Sequence, residues 1–514
     1  MRTRRHEEAS PQTGLQFAEG HPALAPLKQT PFPFTASHPP FRIRGWSELL
    51  GTEEFIDAAD MVRHFLITGE TGSGKSVSAV IRLLEAILRY PEQAQYDAYA
   101  QASGENAETL PDLRPAILVV DPKHELGDVV EREAGGRSVI HMAYGQSGPV
   151  LHLFEGRPLE TLEPFEAVDL ILRQSDFFVR DQASTREPSW NMQAAALLRD
   201  FIAIDMWLAR NVENGLTTFW GNVRERLGKL PEFACFMDAV AYDPANYFKP
   251  HSTLLGLCSG AEDLTALACY MEAAEELKVP GELYVRLLSF GNLYYSTRSG
   301  IVSMAGGILA DLAADELAAC VSLNPVEPPP LERMLSVKRA LERGDLVVYA
   351  PIATSPIAEM VGRCLKSKFF EFAFERANKV RPFFYVVDEA HRFLSAGAQD
   401  GEQSLLDRCR AFRTGVILAT QSIVSMAQRL DSAPGGGGYA LQMLLNNCGN
   451  ALYFRTSDIQ THNNLQQRIP GPPCAGRPHV VQVRPLTTLG VGSCYALRSN
   501  GSWGLFQVHL PKSA

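Results

Sequence analysis

Short runs of consecutive apolar residues alternate with stretches of helical spacing along much of this chain. His64–Thr68 (HFLIT) is one such run, and it ends in a glycine-rich turn. Lys75–Tyr90 follows, with Val77, Val80, Ile81, Leu84, Ile87 and Leu88 spaced to share one helix face. Ala116–Val120 (AILVV), Ser138–Met142, Leu346–Tyr349, Phe383–Val387 (FFYVV), Gly415–Ala419 and Ala451–Phe454 read as further strands, and Ser355–Ala377 reads as a helix. Strands that are apolar at every position are covered on both faces. Repeated strand–helix units of this kind predict an α/β fold built on a mostly parallel sheet.

The pattern is interrupted. Residues 1–45 hold seven prolines and little periodicity, and they read as a disordered or extended arm, with order expected from about Trp46. Tyr90–Leu113 is polar and reads as an insertion. From about Trp190 to Leu323 the strand signals thin out, and Ala/Leu-rich stretches such as Asn191–Leu208 and Gly300–Leu317 read as helices. The stretch closes at Pro325–Pro330 (PVEPPP). The predicted organisation is an arm over 1–45, a discontinuous nucleotide-binding domain over 46–185 and 331–514, and an all-α insertion domain over 186–330.

Composition adds limits. The 514 residues carry a net charge of −10, which excludes a surface uniformly coated in basic charge while allowing a local basic groove. Ser189–Pro330 holds 9 basic and 17 acidic residues, whereas Asp431–Ala514 holds six Lys/Arg against two Asp. Within that last segment Gly435–Gly438 reads as a flexible loop. Nine cysteines are scattered without a CxxC pair or metal-ligand spacing from histidine, so reduced thiols are expected and a zinc site is not. No run of about 18 apolar residues exists, and Met1–Ser10 lacks an apolar core after its charges. Neither a membrane span nor a signal peptide is expected.

Gly69–Ser76 (GETGSGKS) fits G-x-x-x-x-G-K-[ST] between a strand and a helix. Its glycines let backbone N–H groups turn inward around phosphate oxygens, and the helix N-terminus adds partial positive charge. Gly69, Glu70, Thr71, Gly72, Ser73, Gly74, Lys75, Ser76 and Val77 are the expected ATP-binding residues. Lys75 is placed for the β- and γ-phosphates and Ser76 for Mg²⁺. Phe383–Glu389 (FFYVVDE) ends a buried strand on two carboxylates. Asp388 suits the Mg²⁺ shell, and Glu389 suits polarisation of an attacking water. Gly415–Ser422 (GVILATQS) ends on Gln421, whose amide is placed to touch both γ-phosphate and water. Arg408, Arg410 and Arg413 precede that strand at an edge open to a neighbouring subunit. Val119–Leu126 (VVDPKHEL) presents Asp121 and Lys123 to the nucleotide edge or to the next subunit. Asp388–His391 spells DEAH. A helicase of that type needs a second RecA-like domain with a glycine- and arginine-rich final motif, and the sequence has none.

Together GETGSGKS, VVDPKHEL, VVDEAHRFL, RCRAFRTGVILATQS and, more softly, LLNNCGNALYFRTSDIQTHNNL resemble the HerA/FtsK superfamily of P-loop motors. Within it the chain looks most like the type IV secretion coupling proteins of the TraG/TraD kind. The likeness covers most of 46–185 and 335–514. It implies a RecA-like P-loop ATPase with an all-α insertion, assembled as a hexameric ring that drives DNA or a protein–DNA substrate through a pore. It implies Arg410 as the arginine supplied in trans, eleven residues before Gln421. It also implies relaxosome or secretion-channel partners. Members usually begin with transmembrane helices, which this sequence lacks, so a cytoplasmic protein is expected, reaching the inner membrane only through a partner. Two other readings stand beside this one: a HerA-like translocase in repair or phage defence, and a nucleotide-dependent docking protein. Intact Glu389, Gln421 and Arg410 count against the latter.

Overall fold

The computed structural model describes residues 42–47, 52–57, 63–90, 113–144, 148–174, 188–258, 264–351, 355–376, 381–395, 401–430, 438–469, 483–499, 501 and 503–508. The polar insertion after Tyr90 and the loop at Gly435–Gly437 lie outside these residues, as does all of the proline-rich arm before Arg42.

Among the described residues eleven strands form one sheet. They are β1 (Arg42–Ser47), β2 (Thr52–Asp57), β3 (Phe65–Thr68), β4 (Ala116–Val120), β5 (Val139–Ala143), β9 (Leu346–Ala350), β10 (Phe383–Val387), β11 (Thr414–Thr420), β12 (Asn450–Tyr453), β13 (Ser493–Leu497) and β14 (Trp503–Val508). Their order is β2-β1-β14-β13-β12-β3-β11-β10-β4-β9-β5. From β12 through β5 every neighbour is parallel. The remaining pairs, β12 with β13 and outward to β2, are antiparallel. This is a RecA-like P-loop fold with an antiparallel extension. β1 starts at Arg42, inside the stretch whose composition suggested an extended arm. One of its two strand partners, β14, comes from the far C-terminus, which local composition cannot reveal.

Both faces of the parallel part are buried, as its apolar runs require, except at the edge strand β5, where only Met142 is buried. Phe65, Ile67, Ile117, Val119, Phe384, Val386 and Ile417 pack beneath the helices Ile81–Leu88 and Leu126–Glu133. Leu66, Leu118, Val120, Tyr349, Tyr385, Val387 and Leu418 face the helix Pro356–Glu375 on the other side. That helix starts where Ser355 Oγ accepts the Ala358 N–H at 3.1 Å, with Pro356 in the first turn. Each fully buried Leu, Ile, Val or Phe contributes about 1.5–3 kcal/mol.

Between Pro188 and Ala318 every described α-helix or 3₁₀ turn is joined to the next without an intervening strand. The stretch expected as one helix over Gly300–Leu317 is divided. Tyr295–Leu312 ends, Ala314 is extended (ψ 128°), and a new turn begins at Asp315. Asp315 and Glu316 open that turn, where negative charge suits the helix dipole. A second sheet went unanticipated: β7 (Val321–Ser322), β6 (Val150–His152) and β8 (Met334–Leu335) pair in that order. Strands of two or three residues are too short to show a period. All eight described cysteines are free thiols, and burial pushes Cys364 and Cys448 up to about 12. No described helix is long and apolar enough to cross a membrane.

His64 enters β3 from a left-handed backbone (φ 62°) and is buried. Its Nε2 lies 2.9 Å from the Leu406 carbonyl, so a neutral ring donates there. Burial pushes its pKa down from 6.5 to about 4, opposed by the bond to Leu406. Between those two pH values the unfolded chain binds the extra proton. Stability is therefore full above about pH 6.5 and is lost as pH falls through 4. At about 1.4 kcal/mol per unit, the loss is on the order of 3 kcal/mol. The urea midpoint should drop between neutral and mildly acid buffer, and His64→Gln should flatten that dependence. An unchanged slope in the variant would remove His64 as its source.

Candidate active site

Four adjacent parallel strands, in the order β3-β11-β10-β4, end at one edge of the sheet. Ligands of open α/β sheets bind outside the carboxyl ends of strands. β3 runs into the Gly69–Ser76 loop, β11 into Gln421, β10 into Asp388 and Glu389, and β4 into Asp121 and Lys123. The register aligns these ends: Val387 pairs with Val120 and with Leu418, and Thr68 pairs with Thr420.

Gly72 and Gly74 take φ of 78° and 90°, which side-chain-bearing residues rarely adopt. The helix after the loop opens as a wide π-type turn over Ser76–Val80 before becoming regular at Ile81. Ser73 and Lys75 are buried, while Thr71, Gly72 and Val77 are exposed. The loop rests on groups that motif reading missed. Arg455 accepts the Glu70 N–H at its carbonyl (2.9 Å), and its Nε donates to Glu70 Oε1 at 2.9 Å. The Gly492 N–H donates to the Ser73 carbonyl at 3.0 Å. A Cβ on Gly74 would lie 2.8 Å from the Gly492 nitrogen. Arg455 lies within the segment LLNNCGNALYFRTSDIQTHNNL, so a signal for it existed; Gly492 had none.

The two carboxylates are buried and already engaged. Asp388 Oδ1 accepts the Glu389 N–H at 2.9 Å. Glu389 is left-handed (φ 50°), a strained setting for a non-glycine residue. Gln421 Nε2 donates to Glu389 Oε2 at 3.1 Å. Lys123 Nζ lies 3.0 Å from Asp388 Oδ2 and also forms an ion pair with Glu389 Oε1. Burial opposes the Lys123 charge, but its bonds to Glu389 and Asp388 win and hold its pKa above the usual lysine value. Burial likewise works to raise Glu389, yet Lys123, the charge of Lys75 and the Gln421 bond bring it below the ordinary carboxylate range. Lys75 is depressed by burial, with the charges of Asp388 and Glu389 opposing and Lys123 reinforcing. His391 is lowered by burial against the Glu389 charge. Its Nδ1 sits 3.3 Å from Thr420 Oγ1.

Lys75, Asp388, Glu389 and Gln421 are thus brought to one place. Asp121 has a different task from the nucleotide or subunit contact its sequence suggested. It is fully buried, and its carboxylate accepts the N–H groups of Glu125, Leu126 and Gly127 at 3.2, 2.7 and 2.9 Å. Arg410 is exposed at the amino end of β11, seven residues of strand away from Gln421. That is about 20 Å at 3.3 Å per residue, too far to serve its own subunit's site. Arg408 lies over the Phe374 ring at 4.3 Å.

The residues fit a magnesium nucleotide. The loop is a cradle of positive-φ glycines, and Ser73 Oγ and Ser78 Oγ are buried without a partner. Lys75 has no carboxylate within ion-pair distance among the described residues. Ser76 and Asp388 supply the hard oxygens that Mg²⁺ prefers.

No family model matches this sequence, and no curated protein matches it. Solved structures do. The bacterial conjugative coupling protein TrwBdeltaN70 in an unbound monoclinic form aligns with TM-score 0.53 and 13% identity, covering 94% of this chain and 90% of that one. Its trigonal form with sulphate gives TM-score 0.50 and 13% identity over 88% and 86%. Plasmid coupling protein TrwB with ADP and Mg²⁺ gives 0.48 and 14% over 89% and 88%. At such identity the likeness to the unbound and sulphate-bound forms speaks for the fold alone.

Gly492 has φ 78°, and an added Cβ would lie 3.1 Å from Gln507 Nε2 and 3.3 Å from Ser78 Oγ. Gly492→Ala should cost about 1–2 kcal/mol. It should also weaken fluorescent-nucleotide binding several-fold, although the position is remote from the loop in sequence. Wild-type affinity in the folded variant would show that the loop does not depend on this turn.

Proposed function

We propose that this chain is an ATP-driven motor of the coupling-protein kind, which recruits or moves DNA, or a protein–DNA substrate, for conjugative type IV secretion. One observation carries the reading. The P-loop, the Asp388–Glu389 pair and Gln421 converge at the carboxyl edge of adjacent parallel strands, with the Gln421 amide on the Glu389 carboxylate. A pure docking protein has no need of that link.

The reading assigns each group a role. Lys75 and the N–H groups of the loop bind the β- and γ-phosphates. Ser76 and Asp388 hold Mg²⁺, which when bound neutralises phosphate charge. Glu389 orients the attacking water and takes its proton. Gln421 couples the state of Glu389 to the segment after β11. Arg410, out of reach of its own site, serves the neighbouring subunit in a ring, with six subunits as the expected number. The nucleotide-binding domain spans 46–185 and 331–514 together with β1 from Arg42, and the acidic stretch over 186–330, helical up to the short β7, selects substrates. Relaxosome or channel proteins are the expected partners, and they bring the motor to the inner membrane.

The first test is ATP hydrolysis by the purified protein with and without single- and double-stranded DNA, beside Lys75→Ala. DNA-stimulated turnover lost in the variant is expected; turnover indifferent to DNA would overturn the motor reading. Glu389→Gln should keep nucleotide binding and lose about 10²–10⁴ in turnover. Lys75→Ala and Arg410→Ala should each be inactive alone and recover partial activity when mixed. A mixture as inactive as its parts would argue against an arginine supplied in trans.

A further inference from the structure

We propose that Lys123 is a resident counter-ion of the hydrolytic carboxylates. In the nucleotide-free protein its ammonium holds the ground between Asp388 and Glu389 and keeps a divalent cation out. It yields that place only when nucleotide phosphates arrive. The inference rests on the reading of Asp388 as a metal-holding residue and deepens it.

Three observations carry it. The first is contact: Lys123 Nζ lies 3.0 Å from Asp388 Oδ2 and is paired with Glu389 Oε1. Gln421 holds the other Glu389 oxygen. Both oxygens of Glu389 are therefore engaged by side chains of the protein.

The second is the mounting. β4 lies directly beside β10, in register from Phe383–Ala116 to Val387–Val120. The turn after β4 is fixed by the Asp121 carboxylate on three consecutive backbone N–H groups and by a left-handed His124 (φ 59°). The backbone beneath Lys123 is thus fixed. The Lys123 side chain itself is 32% exposed, against 2% for Asp388. A long side chain on a fixed base with an open side can swing out without moving the fold.

The third is charge. Two buried carboxylates stand against two ammoniums, Lys123 in contact and Lys75 through its longer-range charge, so the four charges balance. A bare divalent cation has to expel an ammonium and leave it without a partner. A nucleotide brings its own negative charge, which gives the displaced Lys123 somewhere to go. Metal entry is thereby tied to nucleotide entry.

The test uses Mn²⁺ alone, followed by electron paramagnetic resonance, on the full chain without nucleotide. Lys123→Met should bind Mn²⁺ at least about tenfold more tightly than wild type, a change of about 1.4 kcal/mol. Lys123→Arg should stay weak, and Lys123→Met combined with Asp388→Asn should lose the gain. Thermal melting confirms that each variant is folded, and Lys123→Gln carries the same expectation should the methionine variant not fold. Equal Mn²⁺ affinity in wild type and a folded Met or Gln variant would overturn the proposal. A parallel titration of wild type with fluorescent ATP and Mg²⁺ separates the two claims. No nucleotide binding there sinks the functional reading. Normal binding with unchanged Mn²⁺ affinity sinks only the role of Lys123.

Discussion

Every group of the candidate site hangs from one line, the shared carboxyl edge of β3, β11, β10 and β4. Parallel strands lie about 4.8 Å apart, so residues just past neighbouring ends stand within a side chain's reach. Lys123 crosses one such gap to reach Asp388, and Gln421 crosses another to reach Glu389 from the opposite side. The edge holds only while the register holds. The register holds because both faces of these strands are buried and a one-residue slip would exchange the two faces.

Assembling charges on that line has a cost that the structure meets locally. Burying an isolated ammonium or carboxylate is expensive, and the usual remedy is pairing. Asp388 and Glu389 are met by Lys123, and the long-range field of the same carboxylates steadies Lys75. Glu389 also sits in a left-handed conformation (φ 50°) that turns its side chain toward both Lys123 and Gln421. Strain of this kind persists where surrounding contacts over-determine it. Here they are the amide of Gln421, the ammonium of Lys123 and the Asp388 carboxylate on the Glu389 N–H.

The antiparallel end of the sheet supports the loop from beneath. β13 and β14 bring the Gly492 turn against Ser73 and Gly74, and the segment after β12 brings Arg455 against Glu70. A phosphate-binding loop whose glycines make it adaptable is thereby held by backbone contacts from a distant part of the chain. His391 plays a related part. In the letters DEAH it invites a different enzyme, but in the fold it lies between Thr420 and Glu389, tying β11 to the end of β10.

What the sequence determined by itself was local. Apolar runs made the parallel strands, helical spacing made their covers, and the glycines of Gly69–Ser76 specified a loop that only their conformations permit. Lys75, Asp388, Glu389 and Gln421 could be singled out because each stands at the end of a strand or the start of a helix, where a motif and an element boundary coincide. The order of the strands was not legible, because a strand's backbone hydrogen-bonding groups carry no address. Only that order puts Lys123 on Asp388 and Gln421 on Glu389. The same reason hid β1 and the Gly492 turn: β14 and the Ser73–Gly74 loop that they meet are hundreds of residues distant, and pairing at that range is decided by the packing of the whole sheet.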